Sequence, residues 1–143
     1  MRKFRYIESK RNLELRRCYL DVFDTVIDDL DLYHVEPKLY FVLEVKDFPK
    51  SIQRCWGSDV PIAGQARYPS YHVLIRDDLD FEQVIITIGH ECRHLYQYAH
   101  EFPFCEEDAE RYGRKVLQAF TVGDGVIRNN KYIWNGFAYE IVR

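Results

Sequence analysis

The segment from residue 80 to residue 103 constrains the fold more than any other part of the chain. Asp80, followed three residues later by Gln83, resembles a capping box that opens a helix. Pro103 prevents this helix from continuing much further, so we predict a helix from Phe81 to about Ala99. It packs one side into a core and carries two histidines on another side. The apolar side consists of Phe81, Ile85, Ile88, Cys92, Leu95 and Ala99, and the polar side of Thr87, His90, His94 and Gln97.

The remaining pattern predicts an α+β arrangement. Apolar residues repeat every seven positions over residues 9–31 and predict a long helix. A further helix is expected from near Cys105 to just before Gly123. Aromatic residues flank Asn135-Gly136 and predict a terminal hairpin. Strands are expected where β-forming residues concentrate, at 39–45 and 70–76 and more weakly at 52–57 and 62–68. We expect these elements to form a single domain over residues 1–143.

Composition excludes several classes of protein. With 47% apolar and 30% charged residues, the chain has the balance of a folded protein. A net charge of −3 gives no electrostatic reason to expect a nucleic-acid partner, and no apolar run is long enough to cross a bilayer. The N-terminus lacks the apolar core of a signal peptide, and the four cysteines form no C-x-x-C pair. We therefore expect a cytoplasmic protein with reduced cysteines, no nucleic-acid partner and no membrane association.

The pentapeptide from His90 to His94 has the spacing of a metal-binding helix. Positions four apart lie on the same side of a helix, so His90 and His94 can offer two imidazoles to one zinc ion. Zinc lowers the pKa of a bound water toward about 7, and the adjacent Glu91 can take its proton as general base. Cys92 falls on the apolar side and is expected in the core. We predict one Zn²⁺ per chain, held by these histidines and a third ligand.

Two residues compete for the third ligand position. His100 would complete a three-histidine pattern. However, a helix that continues through Gln97 turns His100 about 120° around the axis from His94, so we expect His100 at an exposed helix end. The other candidate is Glu106, at the start of the next predicted helix.

The helix that begins near Glu106 has features that favour a ligand at its first residue. Glu106 shares one face with Ala109 and Gly113, whose small size would let this helix approach its neighbour closely. A carboxylate on such a face is costly to bury unless it is paired or bound to a metal. Glu107 and Asp108 are expected to point elsewhere and to complement the helix dipole.

The segments HECRHLYQY and EEDAERYG together resemble the gluzincin pattern, and they are most similar to the minigluzincins and the ImmA/IrrE-type peptidases of bacteria and phages. The resemblance covers about residues 62–120 and implies a zincin-like fold. It implies three zinc ligands and a catalytic base, namely His90, His94, Glu106 and Glu91. Glu110 would hold a histidine N–H. The strand YHVLIR would lie along the active-site cleft, where a peptide could add as a further strand.

The resemblance has two departures and leaves one role unassigned. The interval between His94 and Glu106 is short, and Gly113 replaces the more usual alanine. By residue type, the candidates for stabilising an oxyanion are Tyr112, His72 and Tyr139, although packing explains each of them as well.

The expected function is therefore zinc-dependent hydrolysis of a peptide or protein substrate, with Glu91 as the base. The alternative is a metal-binding regulatory or protein-binding module of the same fold without appreciable turnover.

Overall fold

The three predicted helices form, with ends close to those expected. The computed structural model describes residues 10–42, 63–76, 79–121, 123, 131–134, 136–137 and 139–142. The helices are α1, Lys10–Asp29; α2, Phe81–Ala99; and α3, Glu106–Thr121. Asp80 caps α2 by accepting a hydrogen bond from the Gln83 N–H at 2.9 Å. The Gln83 side chain donates to Thr87 instead of turning back to complete a capping box. No helix within these ranges is long and apolar enough to cross a membrane.

A small mixed sheet of three strands follows α1. Its strands are β1, Lys38–Val42; β2, Gly64–Arg67; and β3, His72–Arg76. The central strand is β3, which runs parallel to β1 and antiparallel to β2. The expectation that a peptide could add to YHVLIR is therefore wrong, because both edges of β3 already pair with other strands. The outer strand β2 is the one predicted weakly at residues 62–68.

The predicted terminal hairpin also forms. Strand β4, Lys131–Trp134, pairs antiparallel with β5, Tyr139–Val142. Gly136 lies between them with a φ of 104°, a conformation that favours glycine. The weak strand prediction at 52–57, and the last three residues of the prediction at 39–45, lie outside the described residues. The expected α+β class is thus confirmed.

One cluster of buried apolar side chains joins α1, the sheet and α2. It includes Val22, Val26 and Ile27 of α1, Val73 and Ile75 of β3, and Ile85, Ile88, Cys92 and Leu95 of α2. Burial of each aliphatic side chain of this size contributes about 1.5–3 kcal/mol. Cys92 is fully buried, as expected, and burial raises the pKa of its thiol well above the usual value. The cluster holds the apolar side of α2 against the sheet. It thereby determines which way the polar side of α2, with its two histidines, faces.

The second side of α2 packs against α3 at very short range. A Cβ added at Gly113 would lie 2.6 Å from the carbonyl oxygen of Ile86, and one added at Gly89 would lie 2.9 Å from the Gly113 Cα. The helices therefore touch through their backbones, which confirms the role expected for the small residue at position 113. The polar side of α2 is buried as well, including Thr87, Glu91, His94 and Gln97.

Candidate metal centre

The three side chains predicted as zinc ligands come together between α2 and α3. His90 and His94, one turn apart on α2, place their Nε2 atoms 3.2 Å from each other. Glu106, the first residue of α3, places Oε1 2.7 Å from His94 Nε2 and Oε2 3.2 Å from His90 Nε2. Two imidazoles and one carboxylate therefore face a common point.

The spacing of these groups fits a tetrahedral zinc site. Ligand bonds of about 2.0–2.1 Å at tetrahedral angles separate the ligand atoms by about 3.3 Å. The two histidine Nε2 atoms are 3.2 Å apart, and Glu106 approaches them through different oxygens, with Oε2 3.2 Å from His90 and Oε1 2.7 Å from His94. If Oε1 were the ligand atom, its separation from His94 would lengthen by about 0.6 Å around such an ion. Two histidines and one glutamate are also the ligand set of catalytic zinc sites that keep a fourth position open.

A tight turn after α2 allows Glu106 to reach His94 although few residues separate them. Glu101 follows the end of α2 with a left-handed φ of 58°. The N–H of Phe102 then donates to the carbonyl of Gln97 at 2.8 Å. Together with the hydrogen bond from the Glu101 N–H to Tyr98, these contacts form a Schellman motif, which reverses the chain immediately after a helix. The turn returns the chain to α2 within a few residues.

His100, the rival third ligand, packs against other residues. It is the C-terminal cap of α2, and its ring lies 4.3 Å from that of Tyr96 and 5.3 Å from that of Phe102. Among the His, Cys, Asp and Glu residues that the structure describes, one group of three has ligand atoms within 4.8 Å of one another. Its members are His90, Glu91 and His94. Neither His100 nor Glu106 belongs to this group, but Glu106 contacts both histidines, with Oε1 2.7 Å from His94 Nε2 and Oε2 3.2 Å from His90 Nε2.

Glu91 lies beside the two histidines in a buried position. One of its carboxylate oxygens is within 4.8 Å of their ligand nitrogens, and the residue is 8% exposed. The pKa of Glu91 is raised to about 8, mainly by burial and also by the charge of Glu106, while a hydrogen bond with the Ala66 backbone opposes the increase. A divalent cation nearby would lower this pKa again. Glu106 contacts both imidazoles at 2.7 and 3.2 Å, whereas Glu91 is placed only within 4.8 Å of them, so Glu106 fits the third ligand position better.

Each imidazole is also held through its second nitrogen. His90 Nδ1 lies 3.2 Å from Glu110 Oε2, which is the contact implied for Glu110 by the gluzincin resemblance. Arg114 in turn lies 3.1 Å from Glu110 Oε1. His94 Nδ1 lies 2.9 Å from Gln97 Oε1, a role that the sequence did not assign. Gln97 could have been recognised, because it lies three residues after His94 on the same side of α2.

A buried ion pair lies next to Gln97. Arg93 and Asp108 are both fully buried, and two hydrogen bonds join them, at 2.6 Å for Nε–Oδ2 and 3.1 Å for Nη2–Oδ1. The Arg93 guanidinium also lies 4.4 Å from the centre of the Tyr96 ring. The expectation that Asp108 points away from the helix interface is wrong, because a cationic partner on α2 compensates the burial of its charge. Glu107, whose side chain is 80% exposed, does point outward as expected.

The residues predicted by type as oxyanion donors have other contacts or lie outside the described residues. Tyr112 is buried, and its hydroxyl donates to Asp29 at 2.7 Å. His72 packs edge-on against Tyr40, with ring centres 5.1 Å apart. The side chain of Tyr139 lies outside the described residues. The structure therefore brings neither Tyr112 nor His72 to the metal centre.

Exposed aromatic side chains flank the metal centre instead. Phe104 is 65% exposed, and its ring lies parallel to that of His94 at 4.2 Å. Tyr68, in the loop after β2, stacks at 4.4 Å on Tyr98, which lies one turn beyond His94 on α2. Burial raises the pKa of Tyr68, and the charges of the two site carboxylates raise it further. Its hydroxyl therefore lies within electrostatic reach of the site. Sequence reasoning missed Tyr68 because its position depends on how β2 crosses α2.

Comparison with known proteins identified no relative of this chain. No family model matches the chain, and searches of curated proteins and of solved structures also found no match. The functional argument therefore depends on the motif residues and on the geometry in which they meet.

Proposed function

We propose that this protein is a zinc-dependent peptidase of the gluzincin type, with a zincin-like fold. The observation that carries the proposal is the convergence of His90, His94 and Glu106, with Glu91 buried beside them. The charge of Glu106 raises the pKa of Glu91, so it is costly to keep both carboxylates ionised in a partly buried site. A divalent cation between them would remove this cost, and the ligand types and spacings favour zinc.

Glu91 is the group that would move protons. A bound zinc ion would act as a Lewis acid that activates water and polarises the scissile carbonyl. Glu91 takes a proton from the water as its oxygen bonds to the carbonyl carbon. It then gives that proton to the amide nitrogen as the C–N bond breaks. The Tyr68 hydroxyl is a donor near the site that could stabilise negative charge on the carbonyl oxygen.

The outer edge of β2 is the place for an extended peptide. The Arg76 N–H donates to the Ala63 carbonyl at 2.9 Å, and hydrogen-bonded pairs alternate along an antiparallel ladder. By this alternation, the backbone groups of Gly64 and Ala66 point away from β3. The hydrogen bond between the Ala66 backbone and Glu91 agrees with this direction. A substrate that pairs with β2 would therefore run beside the proposed base.

Substitution of Glu91 by Gln tests this proposal. Gln retains the shape of the side chain but cannot take the proton, so Glu91→Gln should bind one zinc per chain and lose hydrolysis. Glu82→Gln is the matched control, because Glu82 is an exposed residue in the first turn of the same helix. Zinc content would be measured by metal analysis, and cleavage by mass spectrometry of a mixed peptide library and an unfolded protein.

Two results would contradict the proposal. Cleavage that persists in Glu91→Gln would remove Glu91 from the mechanism. Zinc binding by the wild type without cleavage of any peptide in the library would favour a metal-binding module without turnover.

A further inference from the structure

Gln97 links a proposed zinc ligand to the first turn of α3 through four polar contacts. Its Oε1 lies 2.9 Å from His94 Nδ1 and accepts from the Cys105 N–H at 3.2 Å. Its Nε2 donates to the Cys105 carbonyl at 3.0 Å and to Asp108 Oδ2 at 2.9 Å. Gln97 is 1% exposed, so water does not readily replace these partners.

These partners allow one orientation of the Gln97 amide. The reversed amide would place NH₂ against the Cys105 N–H and a carbonyl against both the Cys105 carbonyl and the Asp108 carboxylate. Each of those contacts would oppose two donors or two acceptors. Oε1 must therefore face His94, and the hydrogen between Gln97 and His94 must be on His94 Nδ1.

The ion pair next to Gln97 maintains this arrangement. Arg93 holds both oxygens of Asp108, and a carboxylate can only accept hydrogen bonds from the Gln97 amide. With a neutral residue that has both donor and acceptor atoms at position 108, only the Cys105 backbone would still specify the amide orientation. The charge of Asp108 thus reinforces the direction in which the Gln97 oxygen points, although neither Arg93 nor Asp108 is among the predicted ligands.

We propose that Gln97 is a positioning residue that keeps the proton of His94 on Nδ1 and so leaves the Nε2 lone pair for the metal. We further propose that the buried Arg93–Asp108 pair fixes the Gln97 amide for this task. The inference rests on the proposed zinc site, but it does not require peptide hydrolysis. The same contacts hold Cys105 beside α2, and Cys105 immediately precedes Glu106, so one cluster positions two of the three ligands.

The test compares Gln97→Met, Gln97→Glu and the control Gln83→Met. Met has a similar length and no hydrogen-bonding amide, whereas Glu can still accept from His94 but cannot donate to Asp108. Gln83 is an exposed residue in the first turn of α2, outside the site. Zinc affinity would be measured by competition with a chromophoric chelator. The His94 ring N–H would be observed by ¹H–¹⁵N NMR of the zinc-loaded protein, and thermal unfolding would be recorded for each variant.

We expect Gln97→Met to weaken zinc binding by about 10–100-fold and to shift the His94 Nδ1–H resonance upfield, because its acceptor is lost. Gln97→Glu should keep zinc affinity within about tenfold of the wild type, although its carboxylate lies beside Asp108 and lowers stability. Gln83→Met should change neither zinc affinity nor the resonance.

Three results would overturn the inference. The first is an unchanged zinc affinity and His94 resonance in Gln97→Met. The second is an equal loss of affinity in Gln97→Met and Gln97→Glu, because packing alone would then explain the effect. The third is a wild-type His94 with its proton on Nε2 when zinc is bound. A wild type that binds zinc but hydrolyses nothing would contradict only the proposed function, whereas a wild type that binds no zinc would remove both.

Discussion

Replacing Asp108 by Asn should destabilise the protein more than any other change of a single charge in α3. Asp108 and Arg93 are both fully buried, and their two hydrogen bonds are 2.6 and 3.1 Å long. The substitution nearly preserves the volume of the side chain. It removes the negative charge that compensates the buried guanidinium, and in either orientation the new NH₂ group faces an N–H donor of Arg93. Its effect therefore measures the charge and the hydrogen bonds of the pair together.

Loss of one member of a fully buried pair costs about 3–5 kcal/mol. A domain of this size has a total stability of about 5–15 kcal/mol, so the change should be a large fraction of it. The midpoint of thermal unfolding should fall by roughly 10–15 °C. Urea unfolding followed by circular dichroism would give the free energy directly, with a chelator present so that metal binding does not contribute.

The neighbouring residue supplies the control. Glu107 has an 80% exposed side chain that lies 3.6 Å from Arg111, and exposed pairs of this kind contribute at most about 1 kcal/mol. Glu107→Gln should therefore leave the unfolding midpoint almost unchanged. The reasoning would be refuted by an Asp108→Asn variant that loses less than about 1 kcal/mol, or by equal effects of the two substitutions.

Three further predictions concern the helix contact, the site tyrosine and the pKa of the proposed base. Gly113→Ala places a methyl group 2.6 Å from the Ile86 carbonyl oxygen, so the free energy of unfolding measured in urea should fall by about 1–3 kcal/mol. Zinc affinity should fall as well, and unchanged values of both would contradict the backbone contact. Tyr68→Phe should lower kcat by about 10²-fold without changing zinc affinity, and an unchanged kcat would exclude Tyr68 from catalysis. The pKa of Glu91 is about 8, above its unfolded value, so the folded state binds more protons between these values and stability falls as pH rises. In chelator, wild type should therefore lose on the order of 1 kcal/mol per pH unit relative to Glu91→Gln between about pH 5 and 8, and a parallel pH dependence of the two proteins would refute the shift.

Local signals in the sequence were sufficient to predict the helices and the core of the site. The cap at Asp80 and the break at Pro103 limited α2 correctly, because capping and proline effects act within a few residues. The four-residue spacing of His90 and His94 placed their imidazoles together, as helix geometry requires. These predictions needed no knowledge of what lies across the interface.

Features that depend on partners from distant segments were not predicted. The burial of Asp108 depends on Arg93 of another helix, so its own position in a first helical turn suggested only a dipole contact. The central place of β3 depends on pairing with β1 and β2, which a strand's own residues do not specify. Tyr68 lies near the site only because β2 crosses α2 close to Tyr98, on which Tyr68 stacks. Tertiary context decided each of these cases.

The most direct test of the proposed metal centre is the zinc content of three proteins: the wild type, Glu106→Ala and His100→Ala. Each would be purified identically, dialysed against a weak chelator and analysed for metal per chain. The contacts of Glu106 with His90 and His94 predict about one zinc per chain for the wild type and for His100→Ala. Glu106→Ala should lose most of its zinc. Loss of zinc from His100→Ala, with retention in Glu106→Ala, would contradict the account.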